Sequence, residues 1–166
     1  MTGRVDLAVA DGIAQICLDR PEKHNAITPE MAGELQRICR EVDENGAVRV
    51  VTITGAGERA FSAGSDLNML VDISDLWAFR NRVDYGSVVH RLRKPVIAGL
   101  KGWVLGGGLE IALAADIRIA GRSAKLGAPE VTRGWLGCGG ASQLLPRLAG
   151  YGWAMRMLLS GERREM

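Results

Sequence analysis

Apolar and polar positions change rhythm several times along this chain, and the changes predict strands alternating with helices. RVDLAVA and IAQICLD (positions 4–10 and 13–19) alternate with period two, as strands with one buried face do. Asp11-Gly12 between them suits a two-residue type I′ turn, where both central residues take positive φ. Ala14, Ile16 and Leu18 then share a face. The period next becomes helical, with Met31, Leu35, Ile38 and Val42 on one side. Thr28 supplies an N-cap oxygen, Pro29 fits the first turn, and Asn45-Gly46 ends the helix. VRVVTIT (48–54) and VIAGL (96–100) are apolar runs expected as strands buried on both faces, and DIRIA (116–120) as a shorter strand. Less regular helix is predicted over 67–92, then through 109–115, and in two segments after position 139. Segments 20–26, 55–67 and 121–130 read as connections. The alternation predicts an α/β domain with a largely parallel sheet, without an internal boundary in 166 residues.

Composition narrows the picture. A net charge of +2 is too small to argue for nucleic acid or an acidic membrane surface as a partner. The apolar stretch 95–115 is interrupted by Lys101, Glu110 and several glycines, so it is a poor membrane span, and the first residues show no apolar leader. Cys17, Cys39 and Cys138 lack metal-ligand spacing and are expected as reduced, mostly buried thiols of a cytoplasmic protein that holds no metal. His24 and His90 stand apart from any Ser or Cys motif and read as loop or surface residues. Arg91, Arg93 and Lys94 read as a solvated helix end. Trp77, Trp103, Trp135 and Trp153 read as packing groups, with Trp103 and Trp135 near enough to the glycine motifs to line a pocket.

Four stretches carry candidate chemistry. GAGERA (55–60) fits the G-x-G-x-x-A dinucleotide fingerprint, but FSAGSD follows at once and cannot continue the helix that must face a pyrophosphate. It reads as a surface turn. FSAGSDL (61–67) is either a plain strand-to-helix turn, with Asp66 as an early helix acid, or a place where small residues leave the Ala63 N–H open to a ligand. GGGLE (106–110) is either tight packing of strand on helix or a helix N-terminus stripped of Cβ atoms to admit an anion. GAPE adds Glu130, a solvated loop acid when taken alone. Paired with Glu110 in one pocket, it gives two carboxyls whose pKa values burial and repulsion push apart, so that one is base and the other acid.

In this order, RPEKHNAIT, GERAFSAGSDL, KPVIAGLKGWVLGGGLEIALAADIRIA and KLGAPEVTRGWLGCGGASQLLPRLAG resemble the enoyl-CoA hydratase/isomerase family, the crotonases, over nearly the whole chain. The resemblance implies a spiral of ββα units forming one core domain, 1–166, that apparently lacks the family's C-terminal helical segment. That segment closes the acyl pocket and builds trimers, often paired into hexamers, so a homotrimer or hexamer is expected. The resemblance also implies an oxyanion hole of two backbone N–H groups, Ala63 and Gly107, that stabilises the enolate of an acyl-CoA thioester. Hydratases of the family keep glutamates at the positions of Glu110 and Glu130, with Glu130 expected as proton donor and Glu110 as base. Coenzyme A, part of the substrate rather than a cofactor, is expected along Lys23, His24 and Ala26. Ala63, Gly64, Ser65, Asp66, Leu67 and Gly107 are expected around the thioester. The sequence departs from the family's pattern at Gly99–Gly102 (GLKG), at Ser65 in place of the commoner alanine, and at Cys138. Hydration of a 2-enoyl-CoA is the expected reaction. Double-bond isomerisation, dehydration of a specialised hydroxyacyl-CoA such as a carnitinyl thioester, and a non-enzymatic scaffold are the alternatives.

Overall fold

The computed structural model describes residues 3–70 and 75–165. Strands β1 (Arg4–Ala10) and β2 (Ile13–Asp19) form the expected hairpin, with Ala10 opposite Ile13 and positive φ at Asp11 and Gly12. β2 then pairs in parallel with β3 (Val50–Gly55), β3 with β5 (Val96–Leu100), and β5 with β7 (Ile117–Ala120). Helix α1 (Pro29–Glu44) is capped by Thr28, whose hydroxyl accepts the Met31 N–H at 3.3 Å. It buries Met31, Leu35, Ile38 and Val42. Burying a side chain such as Leu35 contributes roughly 2 kcal/mol.

The single parallel sheet expected from the sequence is in fact two. β4 (Ala60–Ser62), β6 (Trp103–Leu105) and β8 (Lys125–Gly127) pair in parallel, and β9 (Arg163–Glu165) adds to β8 antiparallel. The segments 55–67 and 121–130 therefore each contain a strand. Three residues are too few to show a period, so these strands leave no hydrophobic rhythm to read. β3, β5 and β7 of the first sheet each lead into a strand of the second (β4, β6 and β8) and then into helical turns, which gives the ββα repeat. The first-sheet strands are also less enclosed than expected. Val51, Ile53 and Gly55 are buried while their neighbours are half-exposed, and Ile117 and Ile119 on edge strand β7 face out.

Of the irregular helical stretch expected over 67–92, residues 71–74 lie outside the described residues; the rest contains α2 (Leu67–Leu70), α3 (Leu76–Arg80) and α4 (Tyr85–His90), the last two capped by Asp75 and Asp84. α5 (Gly107–Ala114) is buried almost throughout, and α6 (Ala141–Ala149) and α7 (Tyr151–Ser160) precede β9. The basic run is structural: Arg93 pairs with Asp43 at 2.8 Å, and the Lys94 ammonium donates to the carbonyls of Asn45 and Val48, tying β5 to the end of α1. Only Cys39 is buried; Cys17 is half-buried and Cys138 exposed, which corrects the expectation of mostly buried thiols. Trp77 and Trp153 are exposed and are not core packing groups.

Candidate active site

The loop 20–26 is built around Asn25, a fully buried residue at φ +54°. Its amide donates to the carbonyls of Ala56 (3.0 Å) and Ala60 (2.9 Å), and its oxygen accepts the Arg20 N–H at 2.9 Å. Ser62 donates to the Asn25 carbonyl at 2.8 Å and accepts the Gly64 N–H at 3.1 Å. Arg20 reaches Asp66 at 2.6 Å, with both side chains largely buried. Residues 24–27 and 62–66 thus form one strapped unit, joined by the Ser62–Asn25 hydrogen bond and braced by the Arg20–Asp66 ion pair.

That unit corrects the expected oxyanion donor. The Ala63 N–H donates to the His24 carbonyl at 2.9 Å and is committed within the fold. Two residues on, Ile27 donates to the Gly64 carbonyl (2.8 Å) and accepts from the Asp66 N–H (2.9 Å), a parallel bridge that leaves the Ser65 N–H directed to the opposite side. Ser65 lines a cavity of about 380 Å³, and so does Gly107, whose N–H opens α5 without a side-chain cap. A Cβ on Gly64 (φ +85°) would lie 2.8 Å from the Gly107 nitrogen, so this glycine keeps the approach to that N–H open. The three glycines of the motif divide the work. Gly106, at φ +54°, faces Glu130; a Cβ on Gly107 would overlap the Tyr85 ring; one on Gly108 would overlap the Ser62 carbonyl. Close packing, one of the two readings of GGGLE, is seen at Gly107 and Gly108.

Glu110, in the first turn of α5, is 7% exposed. Its Oε1 accepts the Gly139 N–H at 2.7 Å and the Ala141 N–H at 3.4 Å, where α6 begins. Burial pushes its pKa up to about 7; the two N–H groups oppose that shift, and the charges of Glu130 and Asp84 add to it. Glu130 sits in the short 3₁₀ turn Pro129–Arg133 and its pKa is raised by burial. Its Oε2 is buried without a hydrogen-bond partner, although a buried carboxyl oxygen ordinarily finds one. Both acids line the cavity and converge on Gly137, where a Cβ would lie 3.6 Å from Glu110 Oε1 and 3.7 Å from Glu130 Oε1. Among the described residues no cluster of three or more His, Cys, Asp or Glu side chains could hold a metal ion, and no helix is long and apolar enough to cross a membrane.

The remaining expected residues divide. Ala63, Ser65 and Leu67 line the cavity beside Gly107, Glu110 and Glu130. Lys23, His24 and Ala26 lie outside its lining, joined to it through the His24–Ala63 hydrogen bond. Asp66 is corrected to a structural role: its carboxylate is held by Arg20 and by the Asn68 N–H (3.0 Å). Trp135 lines the cavity, whereas Trp103 lies under the cationic groups of Lys125 and Arg163. The sequence reading did not single out Asp84 and Tyr85, which belong to no motif, or Gly139, which lies within KLGAPEVTRGWLGCGGASQLLPRLAG but had no role assigned to it. Gly139 is forced, because a Cβ there would overlap the Glu110 carboxyl.

Comparison with known proteins decides the family. A family model described as enoyl-CoA hydratase/isomerase matches residues 8–165. The chain belongs to the enoyl-CoA hydratase/isomerase family. The (E)-benzylidenesuccinyl-CoA hydratase of Thauera aromatica is 38% identical over 160 residues, which cover 95% of this chain and 62% of that protein. The short-chain-enoyl-CoA hydratase of Clostridium acetobutylicum is 35% identical over 153 residues, 90% of this chain and 59% of that protein. The crystal structure of an enoyl-CoA hydratase from Bacillus anthracis superposes with a TM-score of 0.91 at 36% identity, covering 98% of this chain and 64% of that one. This family member therefore spans about three-fifths of the length of these relatives, and its ββα architecture is that of the crotonase fold.

Proposed function

We propose that the protein adds water reversibly across the double bond of a 2-enoyl-CoA to give the 3-hydroxyacyl-CoA. The observation that carries this reading is the convergence of Glu110 and Glu130 on one point of a cavity that also presents the N–H groups of Ser65 and Gly107. In this reading the thioester oxygen accepts from those two N–H groups, which are fixed in place before charge develops on it. Water sits between the carboxyls. Glu110 takes a proton from it as the oxygen bonds to the β-carbon, and the π electrons move to the thioester oxygen as an enolate. Glu130 then delivers its proton to the α-carbon. The assignment follows the surroundings: two N–H groups stabilise Glu110 as an anion, whereas no protein group donates to the buried Oε2 of Glu130, which favours its protonated form.

The whole protein's substrate and assembly are part of the proposal. Hydratase names among the relatives, at 35–38% identity, support a coenzyme A thioester as substrate. Exposed apolar side chains on α6 and α7 (Leu148, Tyr151, Trp153 and Leu159) support association into a homotrimer or hexamer, and the cytoplasm suits a thioester substrate. Incubation with crotonyl-CoA tests the reading, by loss of the conjugated-thioester absorbance and by uptake of oxygen from labelled water. Hydration with labelled oxygen at the β-carbon is expected. Double-bond migration without label would assign the protein to isomerisation instead, and thioester binding without turnover at any chain length would overturn the enzymatic reading.

A further inference from the structure

One side chain touches both residues that present the free N–H groups. Tyr85, the first residue of α4, is 9% exposed, and its hydroxyl lies 2.7 Å from Ser65 Oγ. Its ring covers the Cα of Gly107 so closely that a Cβ there would lie 2.6 Å from a ring carbon. Burial raises the Tyr85 pKa, so the phenol keeps its proton and remains a hydrogen-bond donor at neutral pH. The next residue, Gly86, packs against the Gly139 carbonyl and the Glu110 backbone. The start of α4 is therefore wedged between the segment carrying Ser65, the start of α5, and the loop that holds Glu110.

Resting on the oxyanion-hole reading above, we propose that Tyr85 is a positioning residue that sets the separation and aim of the Ser65 and Gly107 N–H groups. The ring fixes Gly107 by contact, and the hydroxyl fixes Ser65 by its hydrogen bond. Ser65 sits on a short loop between β4 and α2, where its neighbours Gly64 and Asp66 are bonded to Ile27 while its own N–H faces the cavity side. Without the tyrosine hydroxyl its peptide has freedom to turn on the cavity side. The serine at position 65 gains a physical reason: it gives the loop a hydroxyl for Tyr85 to hold. Because charge on the thioester oxygen grows only in the transition state, loosening one donor weakens stabilisation of that state more than binding of the substrate.

The test uses Tyr85→Phe, Ser65→Ala and the double variant. Hydration of crotonyl-CoA is followed for each, and so is the infrared carbonyl stretch of a bound, carbon-13-labelled CoA thioester. Polarisation by the wild-type protein lowers that stretch whether or not water adds. Each single variant is expected to lower kcat about tenfold with KM little changed, and to shrink the carbonyl shift. The double variant is expected to fall no further than either single one, because both remove the same contact. A carbonyl shift in the wild type that persists unchanged in both single variants overturns the positioning role, as do additive losses of kcat. A wild type with no carbonyl shift overturns the oxyanion-hole reading itself, which separates the two failures. Tyr85→Leu, which alters ring contact and hydroxyl together, is expected to lower kcat further than Tyr85→Phe; equal losses would assign the whole effect to the hydroxyl and overturn the ring's part.

Discussion

Glu110 and Glu130 meet at Gly137, where a methyl group would touch an oxygen of each, at 3.6 and 3.7 Å. The space a glycine leaves there is the space the proposed water needs. Gly137→Ala meets only Ala141 Cβ closely, at 3.0 Å, a contact that a shift of a few tenths of an ångström relieves. The variant is expected to fold, with a thermal midpoint within a few degrees of wild type, and to lose about 100-fold in kcat while still binding CoA thioesters. Steady-state kinetics with a thermal melt check it. Full activity would show that the water lies elsewhere.

The carboxyl of Glu110 makes stability fall as pH rises. Its folded pKa, about 7, exceeds its ordinary value of 4.5, so between those values the folded protein holds a proton that the unfolded chain has released. Its stabilising contribution is complete below about pH 4.5 and is lost as pH rises through 7. The shift corresponds to a few kcal/mol at most. Glu110→Gln keeps an acceptor for the Gly139 and Ala141 N–H groups but cannot ionise. Melting curves are expected to show the variant gaining on the wild type from pH 5 to pH 8, with activity low throughout. A constant gap between the two would show that Glu110 titrates normally.

Much of this was legible in the sequence, for reasons that differ by element. The hairpin at Asp11-Gly12, helix α1 with its Thr28 cap, and the strands Val50–Gly55 and Val96–Leu100 follow from local period and turn chemistry. The second sheet was not legible, because Ala60–Ser62 and Lys125–Gly127 are too short to carry a rhythm and owe their pairing to distant partners. Glu110 and Glu130 were singled out through their motifs, and both line one cavity. That the Ala63 N–H is already occupied was not legible, since only its three-dimensional bond to the His24 carbonyl shows which peptide in SAGSD is committed to the fold. Tyr85 lay outside every motif and Gly139 lay inside one without a role of its own; both act through contacts across long sequence separations.

Gly64 tests access to the Gly107 N–H. In Gly64→Ala the added methyl would lie 2.8 Å from that nitrogen and 2.9 Å from the Leu105 carbonyl oxygen, on a residue at φ +85°. The expected result is a loss of roughly 3 kcal/mol of transition-state stabilisation, read as a 100- to 1,000-fold fall in kcat. A second effect, loss of stability from the positive φ, is measured separately by melting. Wild-type kcat in a folded variant would remove Gly107 from the oxyanion hole.

Asp66 separates the scaffold from the chemistry. It was expected beside the thioester, yet its carboxylate is spent on Arg20 at 2.6 Å and on the Asn68 N–H. The bond from Arg20 holds its pKa below the usual carboxylate range, the opposite direction from Glu110. Its contribution is therefore present above the ordinary value of 3.8 and lost as pH falls through the depressed one. Asp66→Asn leaves the largely buried Arg20 guanidinium without its counter-charge, at a cost of about 3 kcal/mol, or a drop of roughly 10 °C in the thermal midpoint for a chain of this size. Below the temperature at which it melts, the variant is expected to keep kcat within a few-fold of wild type, because the carboxylate faces Arg20 rather than the cavity. A large loss of kcat in a stable variant would return Asp66 to the substrate site.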